Sequence, residues 1–146
     1  MSKEELIGLL NKALELEHAA RIQYLSHAEI IDGLNAEAII ERLREIAKDE
    51  GSYEEKFTTL IGDFLGGVPS MGIAKTYPAK TINEILEVNL RGEREAVDFY
   101  LTIVEKIKEN KDELKYEYLT LEHGVRHVIM DEQEHISELK ILLAKK

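Results

Sequence analysis

Helical periodicity governs nearly the whole chain and is interrupted at length only once. Leu6, Leu9, Leu10, Ala13, Leu14, Glu17, Ala20, Tyr24, Ala28 and Ile31 recur at three- and four-residue steps, the spacing of one helical face. This predicts a helix over residues 3–32. Asp32-Gly33-Leu34-Asn35 is a stop-and-restart signal, and the period resumes over 36–65. Gly66-Gly67-Val68-Pro69 ends that helix. The only two prolines, Pro69 and Pro78, fall in the aperiodic segment that follows. Thr81 with Glu84 three residues later reads as a capping box. Residues 82–109 are then helical, Asn110-Lys111-Asp112 is a tight turn, and 113–144 form the fourth helix. Each helix is roughly 45 Å long at 1.5 Å per residue. Tight turns make the first and second helices antiparallel, and likewise the third and fourth. The long middle connection lets helices two and three run the same way. The expected fold is an all-α four-helix bundle with one long crossover between helices two and three, built as one domain over residues 1–146.

Composition removes several classes of function. There is no cysteine, which excludes disulfide frameworks, thiolate zinc sites, iron–sulfur clusters and thiol nucleophiles. The net charge is −10 with no basic stripe, so a nucleic-acid partner is not expected. No apolar run approaches the ~20 residues of a membrane span, and Met1-Ser2-Lys3-Glu4-Glu5-Leu6 lacks the apolar core of a secretory signal. The expectation is a cytoplasmic protein that is neither in nor on a membrane.

The two helical hairpins repeat one pattern. Glu17-x-x-Ala20-x-x-x-Tyr24-Leu25 on helix one matches Glu93-x-x-Ala96-x-x-x-Tyr100-Leu101 on helix three. Arg44-x₄-Asp49-Glu50-x-x-Tyr53 on helix two matches Arg126-x₄-Asp131-Glu132-x-x-His135 on helix four. The repeat implies a pseudo-twofold axis through the bundle. Its glutamates fall in line with apolar positions, where an unpaired carboxylate costs several kcal/mol. The few basic residues on those faces cannot pair all four. A pair of divalent ions can, and an imidazole at i+3 of a glutamate shares its face and adds a nitrogen donor. One Glu from each of two helices, with Glu-x-x-His from the other two, is the dinuclear carboxylate arrangement.

Glu17-x₆-Tyr24-x₂-His27-Ala28, Asp49-Glu50, Ile85-Leu86-x₂-Asn89-Leu90-x₂-Glu93 and Asp131-Glu132-x₂-His135 resemble bacterioferritin and the wider rubrerythrin group of the ferritin-like superfamily, over nearly the whole chain. The resemblance implies two iron ions, with manganese or zinc as alternatives. It implies Glu17 and Glu93 as terminal ligands, Glu50 and Glu132 as bridges, and His135 on the ion that Glu93 binds. Asp49 and Asp131 would each orient the ligand at i+4 in the opposite half. Tyr53 stands where the second histidine is expected. It would bind ferric iron as phenolate, donate its hydroxyl to Asp131, or face outward. Gly51 replaces the haem-ligating methionine of bacterioferritin, so no haem is expected. The chain ends eleven residues after His135, short of a fifth helix, and a homo-oligomer of two or twelve subunits is expected rather than twenty-four.

Other residues carry open readings. Tyr24 and Tyr100 pack in the core, hydrogen-bond a ligand carboxylate or serve a redox role. His18 is a solvated or interface histidine, and His27 lies about 15 Å along the axis from Glu17. His123 and His127, at i and i+4, form a solvated face or a surface metal site. Gly51, Ser52 and Gly92, mid-helix beside ligands, mark distortion, an access route or close packing. The function implied is a dinuclear non-haem iron protein that oxidises Fe(II) with O₂ or peroxide, as a ferroxidase or a rubrerythrin-like peroxidase. The alternatives are iron storage, a manganese-catalase-like enzyme, and a structural module with a decayed site.

Overall fold

A computed structural model describes residues 2–144. Four long helices dominate: α1 (Ser2–Ile30), α2 (Ala36–Thr59), α3 (Ile82–Glu109) and α5 (Tyr118–Ala144), with a short α4 (Lys111–Leu114) between the last two. α1 packs along α2 and α3 along α5, and the two hairpins meet mainly through α1 and α3. This is the all-α four-helix bundle expected from the periodicity. No helix among the described residues is long and apolar enough to cross a membrane.

Helix three starts and stops where its local signals say. The Thr81 hydroxyl accepts from the Glu84 amide at 3.1 Å, and the Glu84 carboxylate accepts from the Thr81 amide at 3.1 Å, so two unpaired donors are satisfied reciprocally. Two other boundaries differ from expectation. The regular part of α2 ends at Thr59, and the chain continues as a wider π turn over Leu60–Phe64. The fourth long helix begins at Tyr118 rather than at residue 113. Lys115 takes φ +52°, a left-handed conformation that breaks the helix between α4 and the 3₁₀ turn Lys115–Glu117.

The crossover is tied down along α1. Asn11 Nδ2 donates to the Val68 carbonyl at 3.1 Å, and its Oδ1 accepts from the Ser70 amide at 2.7 Å. The Ala74 amide donates to the Glu15 carbonyl at 3.1 Å. His18 Nδ1 lies 2.7 Å from the Gly72 carbonyl and its Nε2 lies 3.3 Å from Glu54, so this histidine joins the crossover to α2 rather than standing in solvent. Further along, the Tyr77 amide donates to Gln23 Oε1 at 2.7 Å. From Asn11 to Gln23 these ties cover about 18 Å of axis, part of the traverse that parallel α2 and α3 require.

Gly66 and Gly67 start the traverse. Gly66 has φ +71°, and a Cβ on Gly67 would lie 2.8 Å from Ile7 Cγ2 and 3.2 Å from Ile61 Cγ2. Gly67→Ala is therefore expected to destabilise the protein by about 1–3 kcal/mol, the usual cost of overpacking. Chemical denaturation of the variant checks this; an unchanged midpoint would mean that the crossover does not press on α1.

The apolar core comes in two parts. One is built on Leu6, Leu10, Leu14, Phe57, Ile103 and Val125 with their neighbours. The other contains Tyr24, Ala28, Leu43, Ile46, Ile85 and Leu139. On each long helix a glutamate falls between the two parts: Glu17 after Leu14, Glu50 after Ala47, Glu93 after Leu90 and Glu132 after Ile129.

Candidate metal centre

The four glutamates form a polar layer between the two apolar parts. Glu17, Glu50, Glu93, Glu132 and His135 are each at most 3% exposed. One donor atom from each of Glu50, Glu93, Glu132 and His135 lies within 4.8 Å of the others. His135 Nδ1 lies 3.3 Å from Glu50 and 3.4 Å from both Glu93 and Glu132, at ion-pair distance but without an aligned hydrogen bond. Both oxygens of Glu50 and one oxygen each of Glu17, Glu93 and Glu132 are buried without a hydrogen-bond partner. Buried polar groups are normally satisfied. This many orphaned acceptors, gathered in one layer around an imidazole nitrogen, suits a cation.

Glu17 lies outside the four-residue cluster. The Tyr100 hydroxyl hydrogen-bonds Glu17 Oε2, and the Tyr24 hydroxyl donates to Glu93 Oε2 at 2.7 Å. Each tyrosine of the repeat thus holds the glutamate of the other half, a role that sequence left open. Asp49 Oδ2 lies 3.0 Å from His135 Nε2, the cross-half orientation expected of it. That contact places a proton on Nε2 and turns Nδ1 toward the carboxylates.

The equivalent contact in the other half is missing. Asp131 makes no hydrogen bond to Tyr53 and instead lies 3.8 Å from His127 Nδ1. Tyr53 is buried against the apolar core, its ring centroid 6.0 Å from that of His135. A phenol hydroxyl sits farther from its Cα than an imidazole nitrogen does, so the substitution does not reproduce the aspartate contact. The exposed His123 and His127 rings stack at 6.0 Å.

Burial sets the charge state of the layer. Desolvation pushes the Glu17 carboxyl up to about 7, against the lowering influence of Glu50 and of the Tyr100 hydroxyl. Desolvation also holds Glu50 and Glu132 well above the usual carboxylate range, reinforced by the neighbouring glutamates. Burial alone would lower His135, but Glu132 and Glu93 overcome it and push the imidazole up to about 11. The imidazolium is thus the layer's own counter-ion. Burial and adjacent carboxylates raise the Tyr24, Tyr53 and Tyr100 phenols.

A second network escaped the sequence reading. His27, only 3% exposed, faces the Tyr77 carbonyl through Nε2 at 3.0 Å and Asn89 Nδ2 through Nδ1 at 3.0 Å. Gln23 Nε2 donates to Asn89 Oδ1 at 2.9 Å. Burial lowers the His27 imidazole, consistent with a neutral ring that donates from Nε2. The sequence signal was present: His27 follows Tyr24 by three residues, and Asn89 precedes Glu93 by four, each on the buried face.

Fold and site together define a helical bundle with an internal carboxylate–histidine centre. The sequence profile of the ferritin-like domain matches residues 7–146, and the chain belongs to that family. A stretch of 90 residues, 62% of this chain, is 32% identical to the bacterial ferritin of Pseudomonas aeruginosa and spans 58% of that protein. A ferritin-like, diiron-carboxylate protein from Bacillus anthracis superposes with a TM-score of 0.89 at 25% identity, over 98% of both chains. Desulfovibrio desulfuricans bacterioferritin shares the fold, with a TM-score of 0.87 at 24% identity over 98% of this chain and 80% of that one.

Proposed function

We propose that this chain is a dinuclear non-haem iron protein that oxidises Fe(II) with O₂ or peroxide. The observation that carries this reading is the set of buried, partnerless carboxylate oxygens from four helices around His135 Nδ1. Glu93, Glu132, Glu50 and His135 would hold one ion. Glu17, with Glu50, Glu132 and Tyr53, would hold the other. Two Fe(II) ions supply two electrons, which with two protons reduce O₂ to H₂O₂ or H₂O₂ to two waters. The chain's own residues prepare the layer. Tyr24 and Tyr100 fix Glu93 and Glu17, and Asp49 fixes His135. A cation entering beside Nδ1 replaces the imidazolium's proton, so loading releases protons. Glycine at position 51 offers no haem ligand. A cytoplasmic homo-oligomer belongs to the same proposal, and the half-exposed Ile22, Leu25 and Ile30 on α1 support the association. Metal analysis of protein purified from its native host tests the reading: two irons per chain support it, and none counts against it.

The cluster geometry favours unequal sites. Glu17 stands outside the tight group and Tyr53 brings no nitrogen. Anaerobic titration with Fe(II) is expected to show two affinities at least tenfold apart, about 1.4 kcal/mol. Tyr53→His should tighten the weaker one. Two ions of equal affinity, or no effect of Tyr53→His, would remove the asymmetry.

A further inference from the structure

Helix α5 carries chemistry on two faces. Val125, Val128, Glu132 and His135 are buried. His123 and His127 are exposed, with Asp131 partly buried one turn further along. Iron oxidation at the buried layer uses none of these three.

An α-helix sets residues i and i+4 about 6 Å apart along its axis and on one face. The His123 and His127 ring centroids are 6.0 Å apart, and their planes lie within 25° of parallel. Two imidazoles on one ion, with nitrogen–metal bonds of about 2.0–2.1 Å, bring their centroids to about 5 Å. The stacked pair is therefore about 1 Å from a chelate, a closure that small side-chain rotations supply. No hydrogen bond holds either ring among the described residues. The donors are not already gathered within 4.8 Å, as the buried four are, so the ion itself draws them in.

Asp131 is the second observation. The repeat matches it to Asp49, whose carboxylate lies 3.0 Å from His135 Nε2 and leaves Nδ1 to the buried layer. Tyr53 gives Asp131 no such contact, and Asp131 Oδ2 lies instead 3.8 Å from His127 Nδ1. That distance is too long for a hydrogen bond, but the arrangement has the same sense. A carboxylate behind Nδ1 leaves Nε2 as the free donor, and a metal-binding histidine normally has such an acceptor behind it. Charge agrees. Arg126, beside His127 in the chain, is held by Glu122 at 2.8 Å, and the whole chain carries a net charge of −10, a field that favours a cation. A pair of imidazole nitrogens suits zinc, nickel or copper.

We propose that His123 and His127 form a separate surface metal site on α5, which chelates one divalent ion of the zinc, nickel and copper class, with Asp131 positioning His127 to bind through Nε2. Water completes the coordination. The site does not rest on the iron reading.

Zn(II) is the probe. It is titrated into the full chain while the NMR resonances of the histidine rings are followed, so that His123 and His127 are read apart from His135. Both rings should shift together with one affinity, and the ring-nitrogen resonances should show His127 bound through Nε2. His123→Ala and His127→Ala should each weaken that affinity at least tenfold, because the second imidazole binds at the effective concentration that the helix sets. Asp131→Ala should weaken it about tenfold and divide coordination between the two nitrogens of His127. No shift of either ring in excess Zn(II), rings that shift with separate affinities, or a His123→Ala affinity equal to that of the wild type overturns the site. An Asp131→Ala variant that changes neither the affinity nor the coordinated nitrogen overturns the part given to Asp131.

Discussion

Glu132→Ala is expected to abolish most of the metal-induced rise in melting temperature and to raise the melting temperature of the metal-free protein. In the wild type, each of the two proposed ions, at a hundredfold excess over its Kd, would stabilise the fold by about 2.7 kcal/mol. For a chain of this size that corresponds to about 5–10 °C. Glu132 stands in the four-residue cluster and is proposed to touch both ions, so its loss affects both positions. Glu17, outside the cluster, is proposed to touch one, and Glu17→Ala should keep about half of the rise. Without metal the balance reverses. Removing Glu132 relieves repulsion within the layer, while Glu50 and Glu93 still pair His135. The net gain is on the order of 1 kcal/mol. The measurement is thermal melting of the three proteins, each with a chelator and with excess Fe(II) under anoxia. A wild-type-sized metal shift in Glu132→Ala would falsify the bridging role.

The metal-free protein is expected to lose stability steadily from pH 5 to pH 8, and the metal-loaded protein to gain it. Glu17 titrates near 7 in the fold against about 4.3 in the unfolded chain. Between those values the native state holds the extra proton, so stability falls as the pH rises. Glu50 and Glu132 shift in the same direction. His135 adds to the trend: its raised imidazole contributes stability that is whole below about 6.5 and is lost as the pH climbs toward about 11. Glu17 alone accounts for a change on the order of 3 kcal/mol, roughly 10 °C of melting temperature. Metal reverses the slope because its ligands must shed protons to bind, and rising pH favours that. Melting curves at pH 5 and pH 8, with a chelator and with Co(II), separate the cases. A metal-free protein that melts higher at pH 8 would mean that the layer does not hold its protons.

Much of this was legible in the sequence, for a physical reason. A buried carboxylate is costly enough that its position in an apolar stripe announces a purpose, and repetition of Glu17 and Glu50 as Glu93 and Glu132 made that purpose specific. Helix α3 was legible to the residue because its capping box is local. The end of α2 and the start of α5 were not. Neither the π turn over Leu60–Phe64 nor the positive φ of Lys115 carries a local periodic or capping signal. The path of the crossover was also hidden. Its partners Asn11, Glu15, His18 and Gln23 lie more than fifty residues away in the chain, and no periodicity joins them to it. The paired roles of Tyr24 and Tyr100 sat between: the spacing was visible, but the side chain each would reach was not.

The two-part core gives the molecule a weak waist. Leu14, Phe57 and Val125 lie on one side of the layer, and Ala28, Leu43 and Leu139 on the other. Between them each helix crosses a polar belt, bridged in hydrocarbon by Ile136, which packs against both parts. Cations bound there as proposed would act as rivets through all four backbones and tie the two ends together. The same residues that prepare the chemistry would thereby set how far the bundle behaves mechanically as one body.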